Sequence, residues 1–192
     1  MLYRIAKIVV LMIFKIMFKI KVIGKENVPK KGPVIVCSNH TSNFDPPVLG
    51  ITFPRTVHFM AKEELFHKKS LKWLLTNLNA FPVKRGFRDR QALRTGLKRL
   101  EEGHVLGLFP EGTRSKDGQL KKGLAGAGFF AMRSKATVIP CAIIGSYEKF
   151  TPLKVVYGKP IEFETLKKEK TNAQEVTDEI MENIQALLDE HR

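Results

Sequence analysis

Cysteine is nearly absent from this 192-residue chain, which has only Cys37 and Cys141. Two such distant residues make neither a disulfide framework nor a zinc site, and a reducing cytosol fits them best. Acidic residues are scarce too: 19 Asp plus Glu face 33 Lys plus Arg, leaving a net charge of +14 that calls for an anionic partner. No Gly-x-x-x-x-Gly-Lys-[Ser/Thr] phosphate loop is present, which disfavours nucleotide hydrolysis. Internal repeats and low-complexity linkers are also missing. The longest uncharged stretch of the apolar N-terminus covers residues 8–14, far short of the ~20 residues a membrane-spanning helix needs. What remains is ordinary globular usage, 43% hydrophobic and 27% charged, at a length suited to one domain.

Residues 1–23 carry Arg4, Lys7, Lys15, Lys19 and Lys21 and no acidic residue. Wound as a helix, these cations fall on one side and Ile, Val, Leu, Met and Phe cover the remainder. That pattern predicts an amphipathic helix in a membrane interface, its lysines reaching anionic headgroups. A terminal helix packed on the protein's own core has the same periodicity. A cleaved signal peptide fits poorly, because Lys15 and Lys19 interrupt the apolar run and no Ala-x-Ala-like site follows. The chain thus divides into an interface segment, 1–23, and a domain, 24–192.

Short β-branched runs bounded by turn residues predict strands at 33–37, 57–61, 80–84, 104–109, 137–144 and 155–163. Helical patterns lie between them at 63–78, after an Asp89 cap as far as Gly103, and at 124–133. Asn172 and Glu175 form a capping box for a last helix with Val176, Ile180, Ile184, Leu187 and Leu188 on one face. This alternation predicts an α/β fold, a mixed, largely parallel sheet flanked by helices. Ligands of such sheets bind beyond the carboxyl ends of the strands. The polar segments 38–45, at Arg85, and 110–115 all follow predicted strands and can converge there.

His40 and Asp45 would point about 140° apart on a regular helix, so only a turn can join them. Thr41, Ser42 and Asn43 supply turn residues, and Pro46 suits a helix's first position. Asp45 can then fix one imidazole tautomer, leaving the other nitrogen of His40 to take a proton from a hydroxyl. The plainer reading is a helix N-cap beside a structural histidine. Cys37 lies inside an apolar strand and makes a poor nucleophile. His67 and His104 read as structural. Basic residues gather at Lys84, Arg85, Arg88, Arg90 and Arg94 and again at Arg114, Lys116, Lys121 and Lys122. A single patch built from both could meet nucleic acid, an anionic membrane, an acidic carrier protein or a phosphorylated small molecule. The segment Phe109-Pro-Glu-Gly-Thr-Arg-Ser115 suits a phosphorylated polyol: Arg85, Arg114, Lys121 or Lys122 would hold a phosphate, and Glu111 would accept from a glycerol hydroxyl.

Asn39-His40-x-Ser42-x-x-Asp45, Val83-Lys-Arg85, Phe109-Pro-Glu-Gly-Thr-Arg-Ser115 and Val138-Ile-Pro140 occur in that order. Together they resemble the four motifs of the glycerophospholipid acyltransferases, and among these the bacterial 1-acyl-glycerol-3-phosphate acyltransferases. The resemblance implies that family's fold and fatty acyl transfer from a thioester of acyl carrier protein or coenzyme A to lysophosphatidic acid, giving phosphatidic acid. It implies His40 as base and Asp45 as its orienting carboxylate, with no acyl-enzyme. Arg85 with Glu111, Gly112, Thr113 and Arg114 would bind the acceptor's glycerol phosphate, and Val138, Ile139 and Pro140 would shape the acyl pocket. The second motif here lacks its usual leading glycine, which leaves Lys84 and Arg85 as alternatives. The short stretch after Ser115 leaves the parts of Lys121 and Lys122 open. Neither metal nor bound cofactor is expected, nor a nucleic acid partner, and the implied location is the cytoplasmic face of the cell membrane. Acylation of another lysolipid or of glycerol 3-phosphate is the nearest alternative. A non-enzymatic anionic-lipid or nucleic-acid-binding module is the alternative of a different class.

Overall fold

The structure, a computed structural model, describes residues 2–84, 89–163 and 170–192. In chain order its elements are α1 (Leu2–Met17), β1 (Lys19–Ile23), β2 (Val34–Ser38), α2 (Asp45–Thr52), β3 (Val57–Lys62), α3 (Lys69–Asn77) and β4 (Ala80–Val83). There follow α4 (Arg90–Glu101), β5 (Val105–Leu108), α5 (Gly126–Arg133), β6 (Thr137–Gly145), β7 (Pro152–Tyr157) and α6 (Ala173–His191). The seven strands form one sheet in the order β1-β7-β6-β2-β5-β3-β4. It is parallel throughout except where β7 runs against β6, so the expected mixed, largely parallel α/β sheet is what forms.

Every residue of β2 is buried, because both faces of the sheet are covered. Val34 and Val36 face the side of α1 and α2, where Phe14, Phe18, Val48, Leu49 and Phe53 join them. Ile35 and Cys37 face the other side, with Leu100 of α4, Phe130 of α5 and Ile180 and Ile184 of α6. Right-handed crossovers account for this division: the chain moves outward from β2 to β3 over one face and returns from β4 through β5 to β6 over the other. The carboxyl ends of β6, β2, β5, β3 and β4 therefore share one edge. β7 starts at that edge and β1 is parallel to it, so α1 delivers its C-terminal end there as well.

Local signals hold at several helix starts. Asp89 accepts from the amides of Gln91 and Ala92, both at 3.0 Å, opening α4. Asn172 accepts from Gln174 and Glu175 at 2.9 and 3.1 Å, opening α6. Elsewhere tertiary pairing redraws the pattern. The first helix ends at Met17 instead of running through residue 23, because Lys19–Ile23 finds β7 as a parallel partner. The predicted strand at 155–163 is instead β7 at Pro152–Tyr157; beyond it Gly158 donates to Pro140 O at 2.9 Å, and Pro160 has no N–H for a ladder. The stretch 63–78 divides into a short 3-10 turn, Glu63–Phe66, and α3.

α1 has two unlike sides. Phe14 is buried against the core, while Ile5, Ile8, Val9, Met12, Ile13 and Ile16 are exposed, Ile8 at 57% and Ile16 at 73%. Lys7, expected among headgroup-facing cations, instead turns inward and donates to Phe53 O, and burial lowers its pKa. No helix among the described residues is long and apolar enough to cross a membrane.

Candidate active site

β2 ends at Ser38, and Asn39 makes the turn that follows possible. Its side-chain amide donates to Ile143 O at 2.9 Å and accepts from Ile143 N at 2.8 Å, so the side chain replaces a ladder residue and ties the chain to β6. The backbone is then free to bend. Over the next residues Asp45, fully buried, gathers three donors on one oxygen: the amides of Thr41 and Ser42, each at 2.7 Å, and His40 Nδ1 at 2.8 Å. The carboxylate thus closes the loop and opens α2, with Pro46 and Pro47 in the first turn, where a negative charge meets the helix's positive end. The N-cap reading and the orienting reading of Asp45 describe one geometry. With Nδ1–H donating to Asp45, His40 Nε2 keeps its lone pair as a proton acceptor.

The other carboxylate oxygen, Oδ1, accepts from the Tyr147 hydroxyl. Tyr147 follows β6 at the same edge, and its ring meets Phe44 and Phe18 with centroids 5.5 and 5.6 Å away. Phe109 stacks on the His40 ring with centroids 4.2 Å apart and planes 24° from parallel, which holds the imidazole plane. No sequence pattern singled out Tyr147. The signal was available in its position: two residues past Gly145, it leaves a strand parallel to β2 at the edge where His40 emerges.

β5, adjacent to β2, carries the second part of the site. Glu111, 5% exposed, accepts from the amide of His40 at 2.7 Å and from that of Lys121 at 3.1 Å. Burial raises its pKa, and these two bonds oppose the rise. Ser115 N donates in turn to His40 O at 2.7 Å. The segment expected to offer Glu111 to a glycerol hydroxyl therefore uses that carboxylate as a brace between the histidine loop and the loop after β5. Gly112 has φ +68°, a left-handed conformation that glycine adopts without cost, and its amide donates to Phe109 O at 3.0 Å. Thr113, Arg114, Lys121 and Lys122 are exposed beside this brace, with Lys121 Nζ donating to Arg114 O at 3.0 Å.

Other expected site residues lie further away. Lys84 is exposed past β4, at the far edge of the sheet from β2, and its ammonium is 3.8 Å from Glu63. Arg85 lies outside the described residues. Val138, Ile139 and Pro140 are buried in β6, paired with β2 from Ile35 to Cys37, below the edge that holds His40. Val138 and Ile139 are core residues on opposite faces; Pro140 borders a cavity of about 580 Å³ with Gly158, Ile161 and Leu187 on the α6 side. Neither His40 nor Asp45 lines that cavity. Cys37 is buried, and burial pushes its thiol far above the range in which a thiolate forms, so it is no nucleophile.

Comparison with known proteins agrees with this arrangement. A family model described as Acyltransferase matches residues 19–144. The chain is 35% identical over 149 residues to the 1-acyl-sn-glycerol-3-phosphate acyltransferase of Bacillus subtilis, covering 74% of this chain and 73% of that protein. It is 30% identical over 134 residues to the protein of the same name from Borreliella burgdorferi, and 29% identical over 187 residues to that of Saccharomyces cerevisiae. Those alignments cover 69% and 88% of this chain but only 54% and 60% of the two longer relatives. The crystal structure of the 1-acyl-sn-glycerophosphate (LPA) acyltransferase PlsC from Thermotoga maritima shares the fold, with a TM-score of 0.79 at 23% identity over 99% of this chain and 80% of that one. The histidine loop, the brace after β5 and the β6 motif all fall within the matched span, and the chain belongs to the acyltransferase family.

Proposed function

We propose that this protein transfers a fatty acyl group from a thioester to the free hydroxyl of a 1-acylglycerol 3-phosphate, producing phosphatidic acid. The observation that carries the reading is the buried His40–Asp45 pair, held at the sheet's carboxyl edge beside exposed cations. His40 Nε2 removes the acceptor's hydroxyl proton, and the resulting alkoxide attacks the thioester carbonyl. Asp45 keeps the ring in the required tautomer and balances the imidazolium charge. As the tetrahedral intermediate collapses, the new C–O bond stays, the C–S bond breaks, and the imidazolium returns its proton to the departing thiolate. One transfer step suffices, in keeping with the buried state of both cysteines.

Arg114, Lys121 and Lys122 offer cations beside the dyad for the acceptor's phosphate, with Lys84 or Arg85 as a further cation and Gly112 and Thr113 shaping the loop. The acyl donor is a thioester of acyl carrier protein or coenzyme A, both acidic partners suited to the basic surface. The exposed apolar stripe of α1 lies against the membrane on its cytoplasmic side, where acceptor and product reside. The relatives, named as 1-acyl-sn-glycerol-3-phosphate acyltransferases, support lysophosphatidate as acceptor.

The test is direct. Purified protein is offered lysophosphatidate, glycerol 3-phosphate and other lysolipids, each with acyl carrier protein and coenzyme A thioesters. Phosphatidate should form from lysophosphatidate, and His40→Ala should lower kcat by about 10³-fold, within the usual range for a lost general base. Acylation of a different acceptor alone, or a folded His40→Ala protein of undiminished kcat, would refute the assignment.

A further inference from the structure

The Asp45 carboxylate is fully buried, and its two oxygens are served by different parts of the protein. Oδ2 takes the local donors from residues 40–42, whereas Oδ1, among the described residues, takes the hydroxyl of Tyr147, a residue distant in sequence. A buried carboxylate with only one oxygen satisfied can rotate about its Cβ–Cγ bond toward any other donor, and the imidazole would follow it. The second bond removes that freedom. The tyrosine is itself fixed: its ring stands edge-on to Phe18, at 87° between planes, and tilts against Phe44. Phe44 and Phe18 in turn meet Phe14, at 5.7 and 5.4 Å, so four rings from α1, the histidine loop and the loop after β6 form one wedge.

We infer that Tyr147 is a positioning residue of the acyl transfer site, its hydroxyl fixing the orientation and tempering the charge of the Asp45 carboxylate that holds His40. This inference rests on the His40–Asp45 reading but not on the identity of the acceptor. The hydroxyl is a permanent donor, because burial and the neighbouring Asp45 charge push its ionisation far above any working pH. The titratable groups around the pair are His40 in the loop, Asp45 at the start of α2, Glu111 behind His40 and Cys141 on β6. Cys141, raised by burial to about 12, stays a thiol and adds no charge beside the pair. From α1 and the residue that follows it, the contacts are the uncharged rings of Phe14 and Phe18.

The chemical consequence has a sign. A hydrogen placed on Oδ1 offsets part of the carboxylate charge that stabilises the imidazolium. Without it the imidazolium survives to higher pH, and the free base needed for proton abstraction emerges later. Tyr147→Phe keeps the ring contacts and removes only this donor. It should lower kcat by about 10-fold, the scale of one charge-assisted hydrogen bond, while changing either KM by less than about 2-fold. The acid limb of the kcat/KM profile should move up by roughly 0.5–1 pH unit. Unfolding curves measured in parallel show whether the fold survives.

A double-mutant cycle separates positioning from mere packing. In an Asp45→Asn background the hydroxyl has no charge to temper and keeps only a neutral hydrogen bond to the amide, so adding Tyr147→Phe should cost clearly less kcat than it does in the wild-type background. Equal losses in both backgrounds with an unmoved acid limb would overturn the inference, as would a Tyr147→Phe enzyme with wild-type kcat and profile. The cycle is read with whichever lysolipid the wild-type protein acylates, so a wrong acceptor assignment leaves it interpretable. A wrong base assignment is recognised separately, by an active His40→Ala.

Discussion

Replacing Asp45 by Asn isolates the charge of the dyad from its shape. The amide is isosteric with the carboxylate: its oxygen can keep the bonds from Thr41 N, Ser42 N and His40 Nδ1, and its NH2 can donate to Tyr147, whose hydroxyl then accepts. The loop should therefore hold, and the ring should stay in place. What vanishes is the negative charge beside the imidazolium. With a 2.8 Å hydrogen bond the two charge centres lie roughly 4 Å apart, and at an effective dielectric constant of about 20 their attraction is about 4 kcal/mol. At 1.36 kcal/mol per decade that predicts a fall in kcat of about 10³-fold. KM should barely change, because the charge develops on His40 only as the proton moves. Weakened bonds at the start of α2 should cost about 1–2 kcal/mol, or a Tm decrease of roughly 2–8 °C for a chain of this size. Steady-state release of thiol from the acyl donor, followed alongside thermal unfolding, measures both. A folded Asp45→Asn protein retaining more than a tenth of wild-type kcat would show that the carboxylate merely caps a helix.

The brace and the apolar stripe give two further expectations. Glu111→Gln leaves only one carbonyl oxygen to replace two carboxylate oxygens, so either the His40 or the Lys121 amide loses its partner. The cost should be about 1–3 kcal/mol, a Tm lower by roughly 3–10 °C. Because burial raises the Glu111 pKa in the folded state, the native protein holds that proton longer than the unfolded chain, and this group's contribution to stability falls as pH rises through the interval above the unfolded value of about 4.3. The Tm difference between wild type and Glu111→Gln should accordingly shrink from pH 4.5 upward; a constant or growing difference would contradict the burial argument. On α1, the paired substitutions Ile8→Lys and Ile16→Lys alter exposed positions only, so Tm should stay within about 2 °C while sedimentation with anionic vesicles falls several-fold. Undiminished vesicle binding would place the lipid contact elsewhere. Deleting residues 1–21 would be a poorer test, since it also removes Phe14, Phe18 and the first residues of β1.

The central strands, the caps at Asp89 and Asn172, and the pairing of His40 with Asp45 across a turn were all readable from sequence, because each rests on residues close together in the chain. The features that were not readable depend on distant partners. Lys19–Ile23 continues the periodicity of α1 and becomes a strand only because β7, more than a hundred residues later, offers it a ladder. Glu111 resembles a substrate ligand when seen among glycine, threonine and arginine, but two backbone amides from separate loops turn it inward. Tyr147 carries no local pattern at all; its importance comes from the parallel register of β2 and β6, which sets two chain exits side by side. Cations at the rim were legible as a group and not individually, since length and exposure let Lys84, Arg114, Lys121 and Lys122 reach in several directions.

The edge formed by β1 and β7 also has a bearing on how the chain acquires its fold. Lys19 pairs with Pro152, so the first strand stays without its neighbour until that distant stretch has been made. At ribosomal speeds of about 5–20 residues per second the wait is on the order of 10 s, long beside the microseconds in which a helix forms. Throughout that time α1, already wound, has none of β6 or β7 to lie beside. If α1 meets a membrane as proposed, a lipid surface near the exit tunnel would engage its isoleucines before the sheet closes, and the edge that holds His40 and Asp45 would assemble on a chain already tethered there.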